Sequence, residues 1–456
     1  MAKAVITNRI KKQVINNLLS DVNDSANNYY ALIGRSEIWN DSDLTPDIYN
    51  SGREERNFRL ATQSAKNITD ITMTVPRYNW AFGAIYSAYD DSQVGYPSQP
   101  YYVMNDNNQV YLCIQQGKKG NGNAKTSQNQ PTGNTTGAPF QTADGYIWKF
   151  LYSISALDAT KFISANFIPV KLQGATDSDS QAADVEQLTA QGNAVIGEVI
   201  GFALDSGGSG YGSNPTVTIK GDGVGAKGTA SVDGGQVKKV ELVDSSGSFT
   251  MGSGYTRATI EFSGVSFTKP AKGRVILSKN QSPLGLGGDP RDDLRSSAIM
   301  FNSKPDGTES GDFIVDQDFR QVGLLKNPKV DSDTGTAFTA STGNGLKKLK
   351  FSASSTLFTK DNKIVGGTSQ AVGIIDKVDS AAGVFYHQTE ETGFTDFQNG
   401  EAVTETGGSG AATLHGSTLV DPEFNPFTGD LMYIANRDAI TRDEGQTEDI
   451  KIIIQI

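Results

Sequence analysis

Strict alternation closes the chain: from Asp449 onward Ile450, Ile452, Ile454 and Ile456 fall on one face and Asp449, Lys451, Ile453 and Gln455 on the other. A period of two rich in β-branched residues predicts a half-buried strand, and a strand that ends a chain frays unless a sheet pairs it. Upstream, Leu431 to Ile434 predicts a second short apolar strand. The polar run Asn436 to Thr447 between them is long enough to cross a sheet edge or meet a partner.

At the other end the period changes. Ile10, Val14 and Leu18, flanked by Ile15 and Leu19, recur at helical spacing, with Asn8 as a cap, and predict one amphipathic helix, packed on its own domain or, as the alternative, docked on a neighbouring subunit. Tyr30 to Ile33 predicts a strand that runs into Gly34-Arg35-Ser36-Glu37 and then Trp39, a bulky aromatic beside Asp41, Ser42 and Asp43. Ile71 to Trp80 reads as a strand broken at Pro76, which lacks a ladder donor, with Arg77 and Trp80 beyond it. Tyr101 to Met104 and Val110 to Ile114 form a hairpin about Asn105 to Asn108, and Gln115 to Gly137 is so polar that a flexible loop is expected. Tyr146, Trp148, Phe150, Tyr152 and Ile154 then share one strand face while Ile147 and Leu151 keep the other apolar, the mark of a strand buried on both sides. A short helix from Ala156 to Phe162 turns the chain back towards Phe167 to Val170.

Two stretches repeat internally. Gly-Ser-Gly-Tyr occurs at Gly208 to Tyr211 and again at Gly252 to Tyr255, 44 residues on, each copy between alternating strands, which predicts one supersecondary unit used twice. Between about Gly335 and Gly416 a looser repeat places Phe358 and Phe397 ahead of strands and matches Gly367 to Ala371 with Gly407 to Ala411. Between these stretches, Gly285 to Lys304 predicts a glycine turn, a helical turn at Pro290 to Leu294 and a strand from Ser297 to Asn302. Pro422, Pro426 and Gly429 steer the chain into its final strands.

Composition narrows the picture. At 456 residues the chain exceeds what one core usually supports, and its 50 glycines among frequent Asn, Ser, Thr and Asp favour many short strands joined by turns. The formal charge of −11 opposes nucleic-acid binding, for which a basic footprint is needed. Cys113 is the only cysteine, so neither a disulfide framework nor a cysteine-rich metal site is expected. No apolar run approaches the length of a signal peptide or a membrane span, which predicts a soluble protein made in a cytoplasm, with no membrane insertion.

Catalytic chemistry has few candidates. The two histidines, His387 and His415, both lie in the second repeat, too few for a His-rich metal site. Ser369 and Ser409 sit in Gly-x-Ser-x-Ala contexts that lack the last glycine of a nucleophile elbow, and tight turns are expected there. Gly120 to Thr126 resembles a phosphate loop but carries Ala124 where the glycine before the lysine belongs. The acidic clusters at Asp177-Asp179 and Asp331-Asp333 lack the ligand spacing of a calcium loop, and Cys113 is expected as a small buried hydrophobe. Catalytic, cofactor-binding and metal residues are therefore all read as none. Partner contact remains, and its candidate residues are Arg35, Trp39, Arg77, Trp80 and Arg437, aromatic and arginine side chains of the kind that anchor interfaces, although core packing suits Trp80 equally well.

GRSEIW (Gly34 to Trp39), VPRYNW (Val75 to Trp80), DGYIWKFLYSI (Asp144 to Ile154), FRQVGLLKNP (Phe319 to Pro328) and GDLMYIANRDAI with GQTEDIKIIIQI at the C-terminus occur in the same order as similar segments of one family. The chain resembles, over about half its length, the baseplate wedge protein of T4-like contractile-tailed phages, the gene product eight class. That resemblance implies a mainly β protein: a discontinuous β-sandwich core with a few short helices on loops, here interrupted by two inserted β modules. The core segments are expected at 1–190, 270–334 and 417–456, and the modules at 197–264 and 335–416. It further implies a homodimer in the virion tail baseplate, assembled in the host cytoplasm, whose partners are other wedge and fibre-linking tail proteins, and no catalysis. The alternative is a virion protein of adhesin type that binds host-surface glycans through the inserted modules.

Overall fold

Short runs of β-branched and aromatic residues, punctuated by Gly, Asn and Asp turns, become strands along the whole chain: 41 % strand against 12 % helix makes the protein mainly β. The computed structural model describes residues 8–39, 45–93, 95–174, 182–278, 284–305, 313, 317–330, 335–379, 382–443 and 445–456. Asn8–Val22 (α1) precedes Tyr29–Gly34 (β1), Ser51–Leu60 (α2), Thr62–Asn67 (β2) and Asp70–Pro76 (β3). Then come Tyr102–Met104 (β4), Gln109–Gln115 (β5), Phe140–Gln141 (β6), Ile147–Ser153 (β7), Ala156–Phe162 (α3), Phe167–Val170 (β8) and Ala182–Gly192 (α4). The glycine-rich repeat supplies Val199–Ser206 (β9), Thr216–Gly221 (β10), Thr229–Asp233 (β11), Gln236–Glu241 (β12), Ala258–Ser263 (β13) and Lys272–Leu277 (β14). Pro290–Asp293 (α5), Ala298–Ser303 (β15), Gln317–Lys326 (β16) and Thr342–Asn344 (β17) follow. The second repeat holds Lys347–Thr356 (β18), Lys363–Gly366 (β19), Val372–Asp379 (β20), Gly383–His387 (β21), Ala402–Thr406 (β22) and Ala411–Val420 (β23), and the chain ends in Asp430–Arg442 (β24) and Ile450–Gln455 (β25).

The chain folds as two compact units, residues 1–15, 72–300 and 453–456 in the first and 16–71 and 301–452 in the second. A four-stranded sheet runs in the order β25-β15-β3-β8. The C-terminal alternation does become a paired strand, with Ile452 buried.

In the first unit β4-β5-β7-β6 form a sheet whose aromatic face packs Tyr86, Tyr111, Cys113, Tyr146, Trp148 and Phe150 into one cluster, closed by Ala190 of α4. Six of the seven residues of β7 are buried, as its two apolar faces predict. Burial raises the Cys113 thiol well above its ordinary pKa, in keeping with a small apolar residue. The run Gln115 to Gly137, expected as a flexible loop, is instead fastened by side chains outside it. The Asp144 carboxylate accepts the amides of Gln128 at 2.7 Å and Asn129 at 3.1 Å, and Tyr111 donates its hydroxyl to Gly133 O at 2.7 Å.

The Gly-Ser-Gly-Tyr repeats build a six-stranded sheet in the order β12-β11-β10-β13-β14-β9. Exchanging β10 with β13, β11 with β14 and β12 with β9 preserves that order, so the repeats β9-β10-β11 and β12-β13-β14 exchange strands. The tyrosines obey the same symmetry. Tyr211 Oη accepts the amide of Ala271 at 2.7 Å and Tyr255 Oη that of Ala226 at 3.3 Å, each from the opposite repeat. In return the Tyr211 amide donates to Gly235 O and the Tyr255 amide to Gly197 O, both at 3.0 Å. Gly208 and Gly252 sit at φ +64° and +63°, Gly210 and Gly254 at +81° and +75°, left-handed conformations that explain the glycines of the motif. The sheet extends past the expected end at Gly264, because β14 pairs with β9 along its length.

In the second unit β17-β2-β1-β16-β24 form a five-stranded sheet. Tyr30, Leu32, Phe58, Ala65, Leu325, Phe338 and Phe424 make its core. Phe58 of α2 lies so close to β16 that a Cβ on Gly323 would stand 2.3 Å from its ring, so only glycine fits there. The barrel β18-β21-β20-β19-β22-β23 is closed, and exchanging β18 with β21, β19 with β22 and β20 with β23 preserves every neighbour. Phe358 and Phe397 are both buried in its core. Three expectations change here. β17 at the start of the second repeat pairs with β2 rather than with the barrel; β24 runs for 13 residues, well into the polar run expected to be a crossing; and helix α2 with the polar strand β2 is new.

Candidate functional site

β1 ends where Gly34 meets Ala61: a Cβ there would stand 2.6 Å from Ala61 O, and the Arg35 amide donates to that carbonyl at 2.9 Å. Arg35 then takes φ +60°, a left-handed turn that throws the next residues off the sheet. Its guanidinium stacks 4.0 Å from the centroid of Trp39, whose indole N–H donates to Arg437 O at 2.9 Å. Three of the five residues expected at a partner surface, Arg35, Trp39 and Arg437, are thus brought together from β1 and β24. Arg77 and Trp80 lie in the first unit. Arg77 donates to Ser164 O at 2.9 Å and to Asn79 Oδ1 at 3.0 Å, while Trp80 packs on the aromatic cluster and donates to Ser127 Oγ at 3.0 Å.

The same turn carries a buried ionic network. His387, at the end of β21, holds Asp376 Oδ2 at 2.6 Å through Nδ1 and Glu37 Oε1 at 2.8 Å through Nε2. Ser36 Oγ donates to the other oxygen of Asp376 at 2.8 Å. Arg320 of β16 closes the ring, donating to Ser36 O and, at 2.8 Å, to Asp318. Burial opposes a charge on His387, yet the carboxylates of Asp376 and Glu37 overcome it and hold the imidazole up at a pKa of about 10. Burial likewise opposes the charge on Glu37, and the facing imidazolium pulls its carboxyl down to about 2. A carboxylate faces each ring nitrogen, an arrangement that favours the protonated ring, in which His387 donates on both sides rather than serving as a base. The network ties the turn after β1 to barrel strands β20 and β21.

Around it opens a cleft of about 450 Å³, walled by Arg53 of α2, Asp318 and Arg320 of β16, Lys363 of β19 and Glu390 beyond β21. Arg56 meets Glu390 at 2.8 Å. Charges of both signs alternate across it, which suits contact with a mixed polar surface.

The pairing of His387 with Glu37 spans 350 residues and left no local trace in the sequence. Ser369 sits in the tight turn after β19, its hydroxyl on Glu401 Oε1 at 2.7 Å, and Ser409 lies in the turn before β23, where Glu405 accepts the Gly410 amide at 2.8 Å. Asp177-Asp179 and Asp331-Asp333 lie outside the described residues. Among the described residues no three His, Cys, Asp or Glu side chains converge as a metal set, and no helix is long and apolar enough to cross a membrane. Compared with known proteins, the chain matches no family model and no curated protein.

Proposed function

We propose that this chain is a structural subunit of a contractile phage tail, a baseplate wedge protein that acts as a homodimer and holds neighbouring wedge and fibre-linking proteins. What supports this reading is the way the resembling segments interlock. GRSEIW leaves β1, FRQVGLLKNP lies in β16 and GDLMYIANRDAI in β24, adjacent strands of one sheet although each is about a hundred residues or more from the next. Their residues also bond to one another: Arg320 to Ser36, Trp39 to Arg437, and Gln321 Nε2 to Asn436 Oδ1 at 2.8 Å. In the first unit the Trp80 of VPRYNW packs on Tyr146, Trp148 and Phe150 of DGYIWKFLYSI. Segments that resemble one family in order and also form one contact system support a shared scaffold more strongly than each short motif does.

The partner surface is assigned to the turn after β1, where Ile38 is 77 % exposed beside the Arg35–Trp39 stack. Sedimentation of the purified chain should give twice its mass of 48.6 kDa, and a density map of the virion should place it in the baseplate. Trp39→Ala and Arg437→Glu should weaken capture of other tail proteins without lowering the melting temperature by more than a few degrees. A monomer in solution that is missing from the baseplate density would end this reading.

A further inference from the structure

A second concavity in the second unit, about 670 Å³, lies between the loop after β21 and the loop between β23 and β24. Its size is that of small-molecule sites, roughly 300–1,000 Å³. Two phenylalanines on its wall stand open to solvent, Phe394 at 56 % and Phe427 at 53 %. Single exposed apolar residues are ordinary, but these two share one cavity with buried Phe424 and with Pro422.

Both are held on fixed backbone. Arg59 reaches from α2 to donate to Pro426 O at 2.5 Å and to Thr428 O and Gly429 O at 3.0 Å, and the Phe427 amide donates to Asn425 Oδ1 at 2.9 Å. On the facing loop Gln388 donates to Thr395 O at 2.8 Å and to Val372 O at 3.1 Å. Buried polar side chains therefore stiffen the two loops that present the exposed rings, and a stiffened site loses less entropy on binding.

The wall also offers unused polarity. Tyr386 is fully buried, and its hydroxyl has no hydrogen-bond partner. Burial first, then the charges of Asp396 and Asp421, raise its pKa, and Asp421 is itself on the cavity wall. Lys347 stands on the wall too, 3.7 Å from Asp396. A wholly apolar ligand would strip water from Lys347 and Asp421 without pairing them, and would leave the Tyr386 hydroxyl still without a partner. A simple anion would face Asp421, and three of the cations on the wall are already engaged by carboxylates, Arg56 by Glu390, Arg59 by Glu55 and His387 by Asp376 and Glu37. An extended peptide would seek a free strand edge, and β21 is paired on both sides, with β18 and β20. What fits is a ring with apolar faces and several hydroxyls.

We propose that this cavity binds a short saccharide, its ring faces on Phe394 and Phe427 and its hydroxyls on Tyr386, Asp421 and Lys347. The proposal stands apart from the baseplate reading, which neither requires nor excludes it.

The test uses the full chain and a panel of methyl glycosides and β-linked disaccharides of glucose, galactose, N-acetylglucosamine and rhamnose, read by saturation-transfer NMR and titration calorimetry. At least one member should bind saturably. Phe394→Ala and Phe427→Ala should each weaken that binding roughly tenfold or more, the order expected for losing a stacked ring. Tyr386→Phe, which keeps the ring, should weaken it roughly three- to tenfold through one lost hydrogen bond. Circular dichroism and melting temperature should stay at the values of the unmodified protein in all three variants. No binding by any member, or binding that survives both phenylalanine substitutions, overturns the proposal. So does loss of capture of a tail protein by these variants without any saccharide binding, which would make the cavity a protein contact.

Discussion

His387 has a carboxylate on each ring nitrogen, and that geometry fixes the sign of its pH dependence. Its folded pKa lies above the ordinary 6.5, at about 10, so its stabilisation is complete below pH 6.5 and is lost as pH rises through about 10. Glu37 runs the other way: its folded pKa falls from 4.5 to about 2, so its contribution is complete above pH 4.5 and is lost as pH falls through about 2. The network should therefore be most stabilising between pH 4.5 and 6.5. Replacing His387 by Gln leaves buried Asp376 and half-buried Glu37 without their cation, which should cost about 3 kcal/mol at pH 6. Denaturant titrations at pH 6, 8 and 10 check both statements, since the gap between the two proteins should narrow with pH. A gap that stays constant would show that the ring is not charged. At this scale the sequence was informative only where a residue looked out of place in its own neighbourhood. Trp39 in a polar loop and Arg35 after a glycine were legible, whereas Glu37 and His387 resemble any surface pair until the fold closes 350 residues between them.

Elements were legible where periodicity was strong and hidden where it was not. The aromatic strand β7, the C-terminal strand and the double glycine repeat all announced themselves. Helix α2 and strand β2 did not: Ser51–Leu60 carries two apolar residues and Thr62–Asn67 one, and their burial comes from the sheet they meet rather than from their own pattern. The polar run Gln115 to Gly137 is irregular beyond β5, as its composition predicts, but its anchoring was not legible, since Asp144, Asn105 and Tyr111 supply partners that its own composition lacks. The repeat was legible as a duplication but not as an exchange of strands. That exchange makes a symmetric prediction: Tyr211→Phe and Tyr255→Phe each leave one amide of the opposite repeat without its acceptor. Each should lower stability by about 1–3 kcal/mol, with the larger loss at Tyr211, whose bond is shorter and whose donor Ala271 is buried. Thermal melts of the two variants decide it, and an unchanged melt for Tyr211→Phe would refute the cross-repeat bond. Gly323→Ala supplies a contrast, because a methyl 2.3 Å from the Phe58 ring must displace α2 and should destabilise by about 1–3 kcal/mol.

At the scale of the whole molecule both repeats enter and leave the chain at a single point. The amide of Ser278 donates to Glu198 O at 3.1 Å, so the sheet β9 to β14 hangs from two adjacent residues. The barrel does the same, with Lys348 opposite Val420 and the amide of Glu423 on Asn344 O at 2.9 Å. A module whose ends meet can be replaced by a short linker with little loop-closure cost, but only if the cut respects its sheet. Replacing 199–277 with two or three glycines should leave a protein that unfolds cooperatively and keeps the aromatic cluster of the first unit, read by near-ultraviolet circular dichroism. Replacing 197–264 instead should fail, because it removes β9 and β13 and leaves β14 with its backbone unpaired. Deleting Asp449 to Ile456 should also fail, since it takes β25 and buried Ile452 from the sheet formed with β15. Expression of the three variants side by side separates the outcomes: one soluble and cooperative, two aggregated or molten. If the 197–264 replacement melted as sharply as the 199–277 replacement, β14 would not depend on the repeats, and the six-stranded unit described above would not be the piece that was inserted.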